Sequence, residues 1–180
     1  NSPPVTYNFS GSGSGIDEYV VNDIRIYSPS LHTYSDNRAN AEIIINHTNL
    51  NGGKNLLVCI PISKSGTRSD ASTEIDYIIE YMGNVGNSLG HGGKIDNLEI
   101  HLNNFIPNKG YYAYIASLPY YPCDGKVLYI VFDSNNSAIN ILESTLNKLQ
   151  KIIKSTSKSI STSKSISTKK LELSYNENGP

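Results

Sequence analysis

Three apolar runs constrain this chain more than any other feature. They are Ala41-Glu-Ile-Ile-Ile-Asn-His47, Asn55-Leu-Leu-Val-Cys-Ile-Pro-Ile62 and Lys126-Val-Leu-Tyr-Ile-Val-Phe132. Each is short, β-branched and bounded by turn residues, which predicts strands. In 41–47 and 55–62 the apolar residues follow one another instead of alternating, so these strands are expected to be central and covered on both faces. Pro61 sits near the end of its run, where a missing N–H is best tolerated. The stretch Tyr19–Tyr27 does alternate. Val21, Asp23, Arg25 and Tyr27 fall on one face, with Ile24 and Ile26 on the buried other. A further strand is predicted at 111–115.

Helical spacing appears twice. Over 73–86, Ile75, Ile78, Ile79 and Met82 share one face, Thr73 or Ser72 can cap, and Gly83 and Gly86 end the helix. Over 139–153, Ile141, Leu142, Thr145, Leu146, Leu149 and Ile152 do the same. A strand-rich core with few helices is an α+β, sheet-dominated fold. Four segments follow: a flexible Ser/Gly-rich arm (1–15), a folded domain (16–153), a low-complexity Ser/Lys/Ile linker (154–170) built on the repeat SKSIS-TSKSIS, and a tail or added strand (171–180). The chain opens without Met or a signal-peptide pattern, as expected of a processed chain or a piece of a longer one.

With 180 residues and a net charge of -1, the chain has room for one core and no field to attract nucleic acid. No apolar run is long enough for a membrane span. Cys59 and Cys123 both stand in apolar, strand-like contexts, either as buried thiols or as one disulfide. Sequons occur at Asn8, Asn46 and Asn135, few enough for an Asn-rich chain to carry by chance.

A resemblance runs through the chain in order. Tyr19–Ser28, Ser30-Leu-His-Thr33, Ala41–Asn49, Leu56–Ile62, Phe105–Leu118, Pro119-Tyr-Tyr-Pro-Cys123, Lys126–Phe132 and Ile139–Ile141 resemble successive motifs of the α-carbonic anhydrases. The resemblance covers about residues 7–153 and implies that family's central mixed β-sheet, with the N-terminal part of the longer family domain missing. It also implies a site. The family's enzymes hold Zn²⁺ on three neutral imidazoles and activate a bound water to attack CO₂. Those three positions here are Arg25, Tyr27 and Ile44. A guanidinium has no lone pair to offer a metal, and an isoleucine has none either. The Glu and Thr that orient the zinc hydroxide correspond to Leu31 and Pro119, and Tyr120 fills the next pocket position. Glu42 remains, with no liganding imidazole to orient, and an Arg25–Glu42 ion pair in the old cavity is one outcome.

The remaining candidates are weaker. His32 and His47 read as satisfied core histidines, the alternative being a rebuilt metal site with a carboxylate. His91 lies in a Gly-rich loop that lacks phosphate-loop spacing. His101 reads as a loop residue. Ser117 lacks a nucleophile elbow. The resulting expectation is a module with no catalytic residue, metal or cofactor. It acts outside the cell or on a virion, against protein neighbours in an assembly or a surface glycan. Its candidate contact surface is Tyr111, Tyr112, Tyr114 and Tyr121, tyrosine being a large contact residue with a polar tip. Core packing is the plainer role for most of them. A scaffold protein of a capsid is a related reading. The alternative is a residual zinc-dependent carbonic anhydrase or esterase with a rearranged site.

Overall fold

A computed structural model describes residues 5–7, 17–64, 67–89, 100–156 and 174–176. The Ser/Gly-rich residues 8–15, the loop with His91 and the repeat at 157–170 lie outside them. In chain order the elements are β1 (Val5–Tyr7), β2 (Asp17–Tyr27), β3 (Thr33–Tyr34), β4 (Asn37–Arg38), β5 (Ala41–Asn49), β6 (Leu56–Ser63), α1 (Asp70–Leu89), β7 (Tyr111–Ala116), β8 (Val127–Phe132), α2 (Ser134–Ser137), β9 (Ile139–Asn140), α3 (Glu143–Thr156) and β10 (Ser174–Asn176). The main sheet has the order β1-β2-β5-β6-β8-β7-β10, with β9 pairing the end of β6. The β6–β8 and β6–β9 pairs are parallel and the others antiparallel, so the sheet is mixed as expected. A small β3–β4 hairpin stands apart.

The apolar runs take the central places because both faces of the sheet are covered. Strict alternation sorts their side chains. Ile43 and Ile45 of β5, Leu56, Val58, Ile60 and Ile62 of β6, and Leu128, Ile130 and Phe132 of β8 pack with Ile75, Ile78 and Ile79 of α1 and Leu146 and Leu149 of α3. Ile44, Leu57, Cys59, Val127, Tyr129 and Val131 point the other way, under Tyr27, Leu31, Tyr34, Tyr114 and Leu118. The second face is the one the resemblance assigns to the site.

Four local readings need correction. Val21 packs on the same side as Ile24 and Ile26, because the β2–β5 register slips between Val21 and Asp23. One extra residue reverses the parity of everything before it. Helix α1 starts three residues earlier than its pattern suggested. Ser69 and Ser72 cap it reciprocally, each amide donating to the other's Oγ at 2.9 and 3.4 Å. It also runs through Gly83, where an added Cβ would lie 3.8 Å from Ile152 of α3, so this glycine belongs to a helix contact and not to a terminus. Ile139 and Asn140 pair with β6, α3 begins at Glu143, and Leu142 is 50% exposed, off the apolar face it was assigned to. Finally, both cysteines are free. Cys59 is buried, but Cys123 is exposed in a turn whose amide donates to the Tyr120 carbonyl at 2.7 Å.

Ile44 has no solvent exposure at the middle of the second face. Replacing it with Gly or Asp is expected to destabilise the chain by about 2–5 kcal/mol, through the cavity and, for Asp, a buried carboxylate. Urea titration measures this, and unchanged stability would mean that Ile44 does not hold this position.

Candidate functional site

The β2–β5 register sets Arg25 opposite Ile44 and Tyr27 opposite Glu42, so the three positions assigned to metal ligands do come together. What they form is not a metal centre. Arg25 Nε donates to Asp23 Oδ1 at 2.9 Å, and its guanidinium carbon lies 3.7 Å from the centre of the Tyr120 ring. This is a cation–π contact on the face of the residue that enters the old pocket. Asp23 strengthens the hold of the guanidinium on its proton. Asn46 Nδ2 donates to the other oxygen of Asp23 at 3.2 Å. Ile44 packs beneath with Tyr27, whose phenol burial drives to a higher pKa. The hydroxyl of Tyr120 and Oδ1 of Asn46 are buried without a hydrogen-bond partner among the described residues. Such atoms cost stability because packing leaves water no way in to replace the missing partner. The place is thus plugged by stacked and paired side chains. No member of the set Arg25, Tyr27 and Ile44 supplies an imidazole, so these residues do not fit a tetrahedral zinc ion.

Glu42 does not pair with Arg25, contrary to one expectation, because it has other partners and points elsewhere. Its Oε2 accepts the amides of Leu31 (2.9 Å) and His32 (3.3 Å). Its Oε1 is 2.5 Å from His32 Nδ1 and accepts the Tyr34 hydroxyl at 3.1 Å. Leu31 therefore contributes its backbone to the site. His32 Nε2 lies 2.6 Å from the Tyr114 hydroxyl, and the Tyr114 ring stacks on Tyr129 with centroids 4.6 Å apart. Burial alone would raise the Glu42 pKa, but the bond and charge of His32 and the two amides outweigh it and the net shift is downward. Burial raises the pKa of Tyr34, Tyr114 and Tyr129, and strongly that of the Cys59 thiol.

Among the described residues, His32, Glu42 and Cys59 form the one group with metal-ligating atoms close together, all within 4.8 Å. Each is already committed. Both imidazole nitrogens and both carboxylate oxygens are hydrogen-bonded, and burial keeps the thiol protonated. His47 does not join them. It stands five residues from Glu42 along β5, about 17 Å away on the opposite face, with Nδ1 3.1 Å from the Ile45 carbonyl and its pKa lowered by burial.

The four tyrosines assigned to a contact surface separate. Tyr111 is in the core on Phe132, Tyr114 is inside the Glu42 network, Tyr112 stacks on Tyr175, and only Tyr121, at 92% exposure, stands clear. Alternation along β7 separates Tyr111 from Tyr112 and Tyr114, and Tyr121 lies in the loop beyond the strand. Pro119 is half-buried in the loop that delivers Tyr120. Ser117 is exposed, and its carbonyl accepts the Tyr129 hydroxyl at 2.6 Å. His101 is exposed beside Glu74. Asp23, Asn46 and Tyr34 were missed as site residues. The first two had a signal, since each lies two residues along a strand from an assigned position.

Acid should weaken this fold in two stages. A neutral buried His47 refuses a proton that the unfolded chain takes, so stability begins to fall as pH drops below about 6.5. Glu42, with a depressed folded pKa, adds stability that is complete above about pH 4.3 and is lost as pH falls through the folded value. Glu42→Gln is expected to cost about 3–5 kcal/mol at neutral pH and to flatten the lower stage alone. Urea midpoints measured from pH 8 to pH 3 check both, and an unchanged lower stage would show that Glu42 is not the group responsible.

The comparisons with known proteins agree with the fold. The family model described as eukaryotic-type carbonic anhydrase matches residues 10–171. No curated protein matches the chain in sequence. Among solved structures, carbonic anhydrase Cah3 from Chlamydomonas reinhardtii, in complex with acetazolamide, superposes with a TM-score of 0.67 at 16% identity, over 89% of this chain and 66% of its own. The chain thus spans just under two thirds of that protein's length. Dioscorin complexed with ascorbate gives 0.64 at 18%, over 97% of this chain and 71% of its own. The α-carbonic anhydrase from Thermovibrio ammonificans, in complex with sulfanilamide, gives 0.61 at 18%, over 85% and 72%. At such identities the structures speak for the fold alone, while the family model spans most of the sequence: the chain belongs to the eukaryotic-type carbonic anhydrase family.

Proposed function

We propose that this chain is a carbonic-anhydrase-like module without catalysis, acting as a structural or binding protein of a cell surface or a virion. The observation that carries the reading is the plug at the position of the family's metal. Arg25 is paired with Asp23 and laid on Tyr120, above a buried Ile44. Zinc chemistry needs three lone pairs and an open coordination site there. This arrangement offers a cation, a phenol and an alkyl group. Leu31 and Pro119 add nothing that orients a hydroxide, since proline has no N–H and leucine no polar group.

The partner is then met by surface, and the chemistry suits a protein neighbour in an assembly or a glycan. Tyr121 stands out from the loop beside the plug, the kind of rigid amphipathic side chain that contact surfaces use. The described helices include none long and apolar enough to cross a membrane. Residual zinc-dependent hydration or ester hydrolysis has one foothold among the described residues, the His32–Glu42–Cys59 group, and its ligand atoms are already bonded or protonated.

Two measurements test the proposal. Chain equilibrated with Zn²⁺ and dialysed is expected to carry only trace zinc by elemental analysis and to leave CO₂ hydration at the uncatalysed rate. One zinc per chain together with hydration above background would overturn it. The complementary gain is as informative. Arg25→His, Tyr27→His and Ile44→His combined with Tyr120→Thr should bind one zinc, because the β2–β5 register already sets these positions side by side. Failure of a folded quadruple variant to bind zinc would mean that the metal position lies elsewhere.

A further inference from the structure

We propose that the outer edge of β7 is a strand-docking site that takes the Ser174–Asn176 segment of a second copy of this chain as well as its own, joining copies by strand exchange. The site is shaped for this segment. β10 pairs antiparallel with β7 in the register Ser174↔Ala113, Tyr175↔Tyr112 and Asn176↔Tyr111. The Tyr175 ring lies on Tyr112 with centroids 4.8 Å apart, and Asn176 Nδ2 donates to the Tyr111 hydroxyl at 2.8 Å. Gly110 completes the fit. A Cβ there would come within 2.5 Å of the Tyr175 hydroxyl and 2.9 Å of the Asn176 carbonyl, so a side chain at 110 and a docked strand exclude each other. Without β10, β7 would present a row of unpaired N–H and C=O groups, which is what a strand from another molecule pairs with.

The occupant follows from connectivity. Seventeen residues separate Thr156 at the end of α3 from Ser174. Covalent geometry lets such a connection reach up to about 60 Å, well beyond the width of a domain of this size. A strand of three residues is held by few bonds and is among the first parts of a fold to open. Docked in its own chain or in a neighbour, it makes the same contacts, so the choice is set by concentration. A tethered strand competes at an effective concentration on the order of millimolar. Exchange therefore grows where copies are crowded, as they are in an assembly.

The test uses the whole chain with Cys123→Ser, which removes the exposed thiol. One preparation carries Tyr112→Cys and a second, of distinguishable mass, carries Tyr175→Cys. Facing positions on paired strands lie within disulfide range. On mixing and oxidation, the expected product is a disulfide joining position 112 of one chain to position 175 of the other. Its yield should rise at least tenfold between micromolar and near-millimolar protein, and Gly110→Val should suppress it. A chain carrying both substitutions reports docking within one molecule. If that chain closes its own disulfide while the mixed preparations give none between chains at any concentration, the strand stays in its own molecule and the proposal is overturned. If neither forms, β10 does not dock on β7 and the proposal equally falls.

Discussion

A carboxylate out of reach of water organises one face of this sheet. Glu42 is fully buried, and an unpaired charge there would be intolerable. It is not unpaired. Two backbone amides, an imidazole and a phenol converge on its two oxygens. Each donor comes from the segment between β2 and β4, so satisfying the charge folds that segment back over β5. Through His32 the constraint reaches Tyr114 on β7, and through ring stacking it reaches Tyr129 on β8. One residue thereby ties a loop, a hairpin and three strands to a single arrangement. Partial satisfaction of such a network would be worse than an apolar core, which gives the arrangement its specificity.

The sheet divides its labour between faces. On the helix side, isoleucines and leucines of β5, β6 and β8 meet α1 and α3, and shape and area decide the outcome. On the other side, polar and aromatic groups alternate with Ile44, Leu57 and Cys59, and hydrogen bonding decides it. The helix-side contacts that hold the sheet's order involve none of Arg25, Tyr27 and Ile44. This is a physical reason why the positions assigned to a metal can change their residues while the sheet keeps its order and register.

The sequence made the first face legible and the second only in part. Unbroken apolar runs identified β5, β6 and β8, since a strand covered twice has no polar face to alternate. The parity of β2 was not legible, because a bulge at Asn22 leaves no mark in residue type and shifts the phase of Tyr19 and Val21. The start of α1 was missed for a related reason: Ser69 and Ser72 are both good caps, and only the reciprocal bonds choose between them. Position by position, Arg25, Tyr27 and Ile44 could be placed together from the family resemblance. Where Arg25 would find its partner could not. Asp23, two residues back on the same face, needs no long-range contact to reach it, and Glu42 was already claimed by a loop whose path no local signal reveals.

The plug itself follows from that division of labour. A site built for an ion and its water leaves a hole when the ligands are replaced, and an unfilled hole costs roughly in proportion to its volume. Filling it with apolar residues alone would strand Asp23 and Asn46 on β2 and β5. A guanidinium settles both problems together. It answers the carboxylate of Asp23 with charge and lies over the Tyr120 ring. Tyr120 then reaches in from the loop side, where its buried hydroxyl finds no partner among the described residues. The Asn46 oxygen is likewise buried without a hydrogen-bond partner among the described residues. The side chains that fill this space, Arg25, Ile44 and Tyr120, offer no imidazole to a metal ion.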